Sequence, residues 1–164
     1  MTHAGRDEHP ELPLDGDVEA ALRTDVRPAH LQLHLLGLVF LGGSAGTLAR
    51  WAVGLLVPHV ARLPLGTFAV NVVGAFVLGA LLEHLARRGP DEGSRRAVRL
   101  VFGTGFCGGF TTYSALANDA GTLLRAGLVG HAVAYALGTV GFGLAASALG
   151  VQVARTRSAR RAAP

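Results

Sequence analysis

Four apolar runs follow one another along the chain, covering residues 33–57, 65–85, 98–124 and 127–153. Each exceeds the ~20 residues that a helix needs to cross the hydrocarbon core of a bilayer. Prolines punctuate the pattern. Pro58 closes the first run, Pro64 opens the second, and Ala86-Arg87-Arg88-Gly89-Pro90 ends it. Only Arg125-Ala126 separates the third run from the fourth. Residues 1–31 are acidic, polar and proline-containing, and read as a disordered tail. Residues 154–164 read as a basic C-terminal tail, which leaves 32–153 as the membrane domain. The pattern predicts an all-α membrane protein of four transmembrane helices.

The third run departs from the rest. Gly103 to Ser114 holds four glycines and four Ser/Thr hydroxyls in twelve residues. A lipid-facing helix gains nothing from that composition. Irregular backbone at membrane depth persists only where protein buries it or where it lines a polar cavity, and broken helices free carbonyls and amides for ions. A helix broken at its centre, with an ion nearby, is expected here.

Composition agrees with a membrane protein. Half of the 164 residues are hydrophobic, 16% are charged, and the mean hydropathy is +0.40. Seven of the eleven acids precede residue 26. All fifteen basic residues are arginine, and nine of them cluster at 87–99 and 155–161. With four spans, the two tails and the 86–97 loop share one side. Arg99 included, that side carries nine arginines of the loop and C-tail, against Arg62 and Arg125 in the other loops. The positive-inside rule then puts both termini in the cytoplasm of a multi-pass cell-membrane protein. Anionic headgroups are the expected partners of the arginines, not nucleic acid. The first thirty residues lack the apolar core of a secretory signal. Cys107, the sole cysteine, reads as a small apolar residue.

Small residues recur at four-residue spacing in Gly42/Gly46, Ala75/Gly79, Gly105/Gly109 and Thr139/Gly143, a pattern that lets helices approach closely in a bilayer. Polar groups within the runs are few, and such groups usually face an interior or a water-filled path. Thr112, Tyr113, Ser114, Asn71 and Thr139 are candidates for an ion path, and Arg50, Thr67 and Asp119 for structural or electrostatic roles. Carbonyls at Gly108 to Thr111 suit a small hard cation, hydroxyls at Thr111, Thr112 and Ser114 suit an anion, and aromatic edges also suit an anion. No carboxylate pair, His/Cys cluster, nucleophile elbow or phosphate loop is present, so catalysis is unsupported. The Gly103-x-Gly105 pair follows no strand, which excludes a dinucleotide site.

Three blocks in order give the chain a resemblance. They are Gly42-Gly43-Ser44-Ala45-Gly46-Thr47-Leu48-Ala49-Arg50-Trp51, then Pro64-Leu65-Gly66-Thr67-Phe68-Ala69-Val70-Asn71-Val72-Val73-Gly74, then Gly105-Phe106-Cys107-Gly108-Gly109-Phe110-Thr111-Thr112-Tyr113-Ser114. Over about residues 35–150 the chain resembles the small bacterial fluoride channels, the Fluc or CrcB family. The resemblance implies an antiparallel dimer of four-helix subunits, with two narrow pores that let fluoride leave the cell passively. It also implies a central, non-transported Na⁺ held by the carbonyls of Gly108 and Thr111. Asn71 matches the family's second-helix asparagine on the fluoride path, Arg50 its first-helix arginine, and Asp119 a position that is often Glu. Fluoride is small and accepts hydrogen bonds well, so amide and hydroxyl donors can replace its water while diameter excludes larger halides.

The chain departs from the family where the usual Thr-Thr-Phe-Ser-Thr-Phe reads Thr111-Thr112-Tyr113-Ser114-Ala115-Leu116. One pore-lining ring is now Tyr and the other is lost to Leu. That loss, with the arginine bias, suggests a heterodimer with an oppositely inserted relative, beside the homodimer of family precedent. A non-conducting partner subunit is a further alternative. A small multidrug-resistance-type transporter would want a deep first-helix carboxylate, which is missing.

Overall fold

The computed structural model describes residues 32–57 and 63–162, and among them every regular element is helical. The elements are α1 (Leu33–Leu56), α2 (Leu65–Ala86), α3 (Gly93–Val98), π1 (Arg99–Cys107), α4 (Gly108–Phe110), α5 (Tyr113–Arg125) and α6 (Val129–Ala162). The 1–31 segment and Arg62 lie outside the described residues. Three helices are long and apolar enough to cross a membrane: α1, α2 and the Val129–Arg157 part of α6.

The third apolar run is not one helix. α3, π1 and α4 form a continuous rod, because the residues at their junctions all keep helical dihedrals. The rod stops at Thr111 and Thr112, whose backbones are extended, and α5 restarts at Tyr113. The restart is capped locally, since Thr112 Oγ1 accepts the Ala115 amide at 3.1 Å. α5 ends in a Schellman motif. The Gly127 amide donates to the Leu124 carbonyl and the Leu128 amide to the Leu123 carbonyl, both at 2.9 Å. Gly127 has φ +75°, which an L side chain rarely adopts, and Leu128 packs on the Leu123 cluster. This cap is why α6 begins at Val129 and not at 127. At its other end α6 runs past 153 to Ala162, through Ala and Arg residues of good helix propensity.

Glycine decides how the helices meet. Gly42 lies against the Val101 carbonyl and Gly46 against the Phe106 carbonyl, so α1 and π1 run in the same direction. Gly105 and Gly109 approach α1 from the facing side at Val39 and Gly43. Gly79 and Gly150 do the same between α2 and α6. Of the four predicted spacings, Gly42/Gly46 and Gly105/Gly109 face each other, while nothing within 4 Å would meet a Cβ on Gly143. Large apolar side chains point outward instead. Phe40 is 73% exposed and Leu144 69%, as expected where the surrounding solvent is lipid. Glu83 on α2 meets Arg155 on α6, and Leu78 and Leu81 on α2 lie beside Gly103. The start of α1, the end of α2, the start of the rod and the end of α6 therefore gather at one end of the molecule.

A Cβ at Gly46 would overlap backbone, which cannot swing aside as a side-chain tip can. Gly46→Leu should therefore lower stability by about 1–3 kcal/mol or more. Gly37→Ala, with nothing within 4 Å, should leave it unchanged. Heating the detergent-purified variants and following the folded fraction by size exclusion checks both.

Candidate functional site

The break between α4 and α5 leaves backbone groups without helical partners, and α2 supplies replacements. Asn71 Oδ1 accepts the Thr112 amide at 2.7 Å, and Asn71 Nδ2 donates to the Thr112 carbonyl at 3.1 Å. The side chain thus pairs with one residue's backbone on both sides, as a neighbouring strand would. In a continuous helix the Thr112 amide would donate to the Gly108 carbonyl, and the Ala115 amide to the Thr111 carbonyl. Asn71 and the Thr112 hydroxyl take those two amides instead. Gly108 and Thr111 are thereby left with carbonyls stripped of their helical donors. Gly108 is exposed, and open space surrounds the place a side chain would occupy. Carbonyl oxygens of this kind suit a small hard cation in chemistry, and two of them are fewer than such an ion takes.

Beside the clamp runs an open groove of about 390 Å³ between α2, the break and α6. Four predicted path residues, Asn71, Thr112, Tyr113 and Thr139, line it together with Thr111. Ser114 is not a lining residue, but its hydroxyl sits 3.2 Å from that of Thr112. Tyr113 is 83% exposed and is the one aromatic side chain on the groove wall. Leu116, at the position of the lost ring, lines the groove yet is buried with Leu123, Ala132 and Tyr135.

Not every hydroxyl in the groove has a proton to offer. Thr139 donates to the Tyr135 carbonyl at 2.7 Å and Thr111 to the Cys107 carbonyl at 2.9 Å. Such back-bonding one turn up the helix is common for threonine. The remaining donors are the second Nδ2 proton of Asn71, the Thr112–Ser114 hydroxyl pair, the Tyr113 hydroxyl and Ser147. Ser147, absent from the sequence-based candidates, lines the groove two turns beyond Thr139. Its signal was the face 139, 143 and 147 at four-residue spacing, which the Thr139/Gly143 pair began.

The residues assigned structural or electrostatic roles separate. Thr67 and Asp119 come together at Tyr135, whose hydroxyl donates to Asp119 Oδ2 at 3.2 Å with the Thr67 side chain beside it. This polar knot joins α2, α5 and α6 next to the Leu116–Leu123 cluster. Arg50, in the second half of α1, joins neither the knot nor the groove, and makes no hydrogen bond or ion pair among the described residues. Phe106 and Phe110 stack on each other, with centroids 5.6 Å apart, and lie off the groove wall. Among the described residues no group of three His, Cys, Asp or Glu side chains is placed to hold a metal.

Known proteins bear on this arrangement directly. Residues 37–151 match the family described as CrcB-like protein, Camphor Resistance (CrcB). The fluoride-specific ion channel FluC 2 of Leifsonia xyli subsp. xyli is 50% identical over 134 residues, covering 82% of this chain and 92% of that protein. The fluoride-specific ion channel FluC 1 of Cutibacterium acnes is 54% identical over 110 residues, 66% of this chain and 77% of its own length. The FluC of Gloeobacter violaceus is 43% identical over 121 residues, 72% of this chain and 94% of that protein. The matched span contains the Asn71–Thr112 clamp, the groove and the glycine contacts, and the chain belongs to the CrcB family of membrane proteins.

Proposed function

We propose that this chain is one subunit of a dimeric fluoride channel, and that the groove beside the Asn71–Thr112 clamp is its half of an anion path. The clamp carries the reading. It holds a broken helix open at membrane depth and lines the groove with amide and hydroxyl protons. A small, strongly hydrated anion exchanges its water for such donors, and a narrow path excludes larger halides. Fluoride would move passively, leaving the cytoplasm down its gradient, and no catalytic step is involved. The relatives' names support fluoride as the ion.

In this reading four spans cross the cell membrane, the third being the broken rod with α5, and both termini are cytoplasmic. The arginine-rich end supports that orientation. The groove is open on one side and Tyr113 projects from it, so a second subunit inserted in the opposite sense would close it. The Gly108 and Thr111 carbonyls would hold a structural Na⁺. Two per subunit are too few oxygens, and the same pair from a partner would complete the set. When bound, Na⁺ would supply a fixed positive charge tying the two breaks together.

The buried position of Leu116 favours a heterodimer over a homodimer. Its side chain is committed to the subunit's own core, so Tyr113 alone offers an aromatic edge to the groove. An oppositely inserted relative with both rings would restore the aromatic lining.

Three measurements test these statements. Liposomes containing the chain together with such a relative should release fluoride and retain chloride on an ion-selective electrode. Release at full rate from the chain alone would establish the homodimer, and no release from either preparation would overturn the channel reading. Asn71→Ala should abolish efflux and destabilise the fold, because two buried backbone groups each lose a partner at about 1–3 kcal/mol. Exchanging Na⁺ for a large organic cation should lower the melting temperature and the efflux rate together. Insensitivity of both would remove the cation from the account.

A further inference from the structure

Tyr113 carries the one phenol on the groove wall, and its hydroxyl makes no hydrogen bond among the described residues. The chain's other tyrosine is settled differently, since Tyr135 is buried and its hydroxyl donates to Asp119. A tyrosine left exposed on a membrane protein usually sits at headgroup level, where its hydroxyl meets water. Tyr113 is not at that level. It opens α5, whose thirteen residues cover about 20 Å at 1.5 Å per residue before the next loop. Thr112 beside it is bonded to Asn71, and both Asn71 and Thr139 on the same groove lie within apolar spans.

A phenol at this depth needs an acceptor. Lipid tails offer none, and an unpaired hydroxyl carries a cost there that phenylalanine at the same place would not. The other spare protons of the site belong to Asn71 Nδ2, the Thr112–Ser114 pair and Ser147, so the groove presents several donors that lack a common acceptor. One carbonyl of a neighbouring protein could serve one of them. A small anion can accept from several at once. An O–H bond to an anion is also shorter than one between neutral groups and about twice as strong.

We propose that the Tyr113 hydroxyl, more than the edge of its ring, takes hold of the anion beside the break and favours fluoride over larger halides there. The inference rests on the channel reading and names the selective contact within it. A ring edge attracts any halide through its quadrupole. A hydroxyl proton binds a halide more firmly the more strongly that halide accepts, which puts fluoride first.

Near-ultraviolet difference spectra of the full-length, detergent-purified protein test this, with fluoride titrated against chloride. Hydrogen bonding of a phenol to an anion moves tyrosine absorption to longer wavelength, and Tyr135 is already bonded to a carboxylate. Fluoride should give a saturable red shift that Tyr113→Phe abolishes, and chloride should give none. In liposomes from which the wild type releases fluoride, Tyr113→Phe should slow release about tenfold or more, as expected for the loss of one hydrogen bond to a charged group. Its melting temperature and oligomeric state should match the wild type, because the side chain is exposed. No shift in the wild type, the same shift in Tyr113→Phe, or release from the variant at the wild-type rate or faster would overturn the hydroxyl's role. So would a lower melting temperature or a dissociated variant, which would give the hydroxyl to a partner subunit. If no preparation releases fluoride the channel reading falls, while the spectra still decide whether Tyr113 binds the anion.

Discussion

Two hydrogen bonds from one asparagine make the central break possible. A helix interrupted in a bilayer exposes amides and carbonyls that lipid cannot satisfy, and each such group costs several kcal/mol. Asn71 answers for both backbone groups of Thr112, and the Thr112 hydroxyl answers for the next free amide at Ala115. The arrangement is selective in what it leaves over. Asn71 and the Thr112 hydroxyl take up two amides and the Gly108 and Thr111 carbonyls lose their helical donors, while amide and hydroxyl protons remain on the groove side. On the proposed reading, a site for a cation and a path for an anion would then lie within one turn of each other. An aspartate at position 71 would keep the acceptor for the Thr112 amide but set a carboxylate against its carbonyl, so the amide is required chemically as well as sterically.

The clamp in turn depends on close helix approach. Asn71 has a short side chain, and it reaches the Thr112 backbone only because α2 and the break lie nearly in contact. At Gly74, one turn along α2, a Cβ would collide with the Thr111 side chain. The same economy appears at Gly46 and Gly150, where backbone meets backbone. With small residues inside and Phe, Leu and Trp outside, hydrophobic burial cannot hold the helices together as it does in water. Dispersion along flush backbones and a few interhelical polar links must do so. Those links are few and placed in series: Thr67 and Asp119 on Tyr135 near the start of α2, Asn71 on Thr112 further along, and Glu83 with Arg155 at its end.

Much of this was legible in the sequence because membranes constrain composition strongly. Run length and the prolines at 58 and 64 set α1 and α2 to within a residue or two, and the Gly/Thr block located the break. The Gly42/Gly46 and Gly105/Gly109 spacings found partners in each other. Other features were hidden because they depend on tertiary contact. Nothing local distinguishes an Asn71 that offers its amide to a passing ion from one that spends most of it on Thr112. The nine-residue π1 segment is equally silent, since its sequence is apolar and glycine-rich like the rest of the run. The fourth run seemed to start at 127 because apolarity continues through the Schellman turn, where φ at Gly127 and not hydropathy marks the boundary. Hydropathy also ended α6 too early, since Glu83 anchors Arg155 and the helix continues beyond its apolar part.

The distribution of hydroxyl protons sharpens what the groove can do. Threonine is the commonest polar residue on its wall, yet Thr111 and Thr139 both bond back to their own helices. Their hydroxyl protons are spent on those bonds, unless the side-chain torsion swings the proton outward. The protons available without such a change are the second one on Asn71, one of the Thr112–Ser114 pair, and those of Tyr113 and Ser147. Asn71, Thr112 and Tyr113 cluster at the break, while Ser147 stands two turns away along α6. On the proposed channel reading, an ion passing from the break toward Ser147 would have to recruit the Thr139 hydroxyl on the way, breaking a 2.7 Å bond to do so. Thr139 would then be a barrier that yields to a strong acceptor and resists a weak one. Since fluoride accepts hydrogen bonds far more strongly than chloride, such a step would discriminate between halides by chemistry in addition to width.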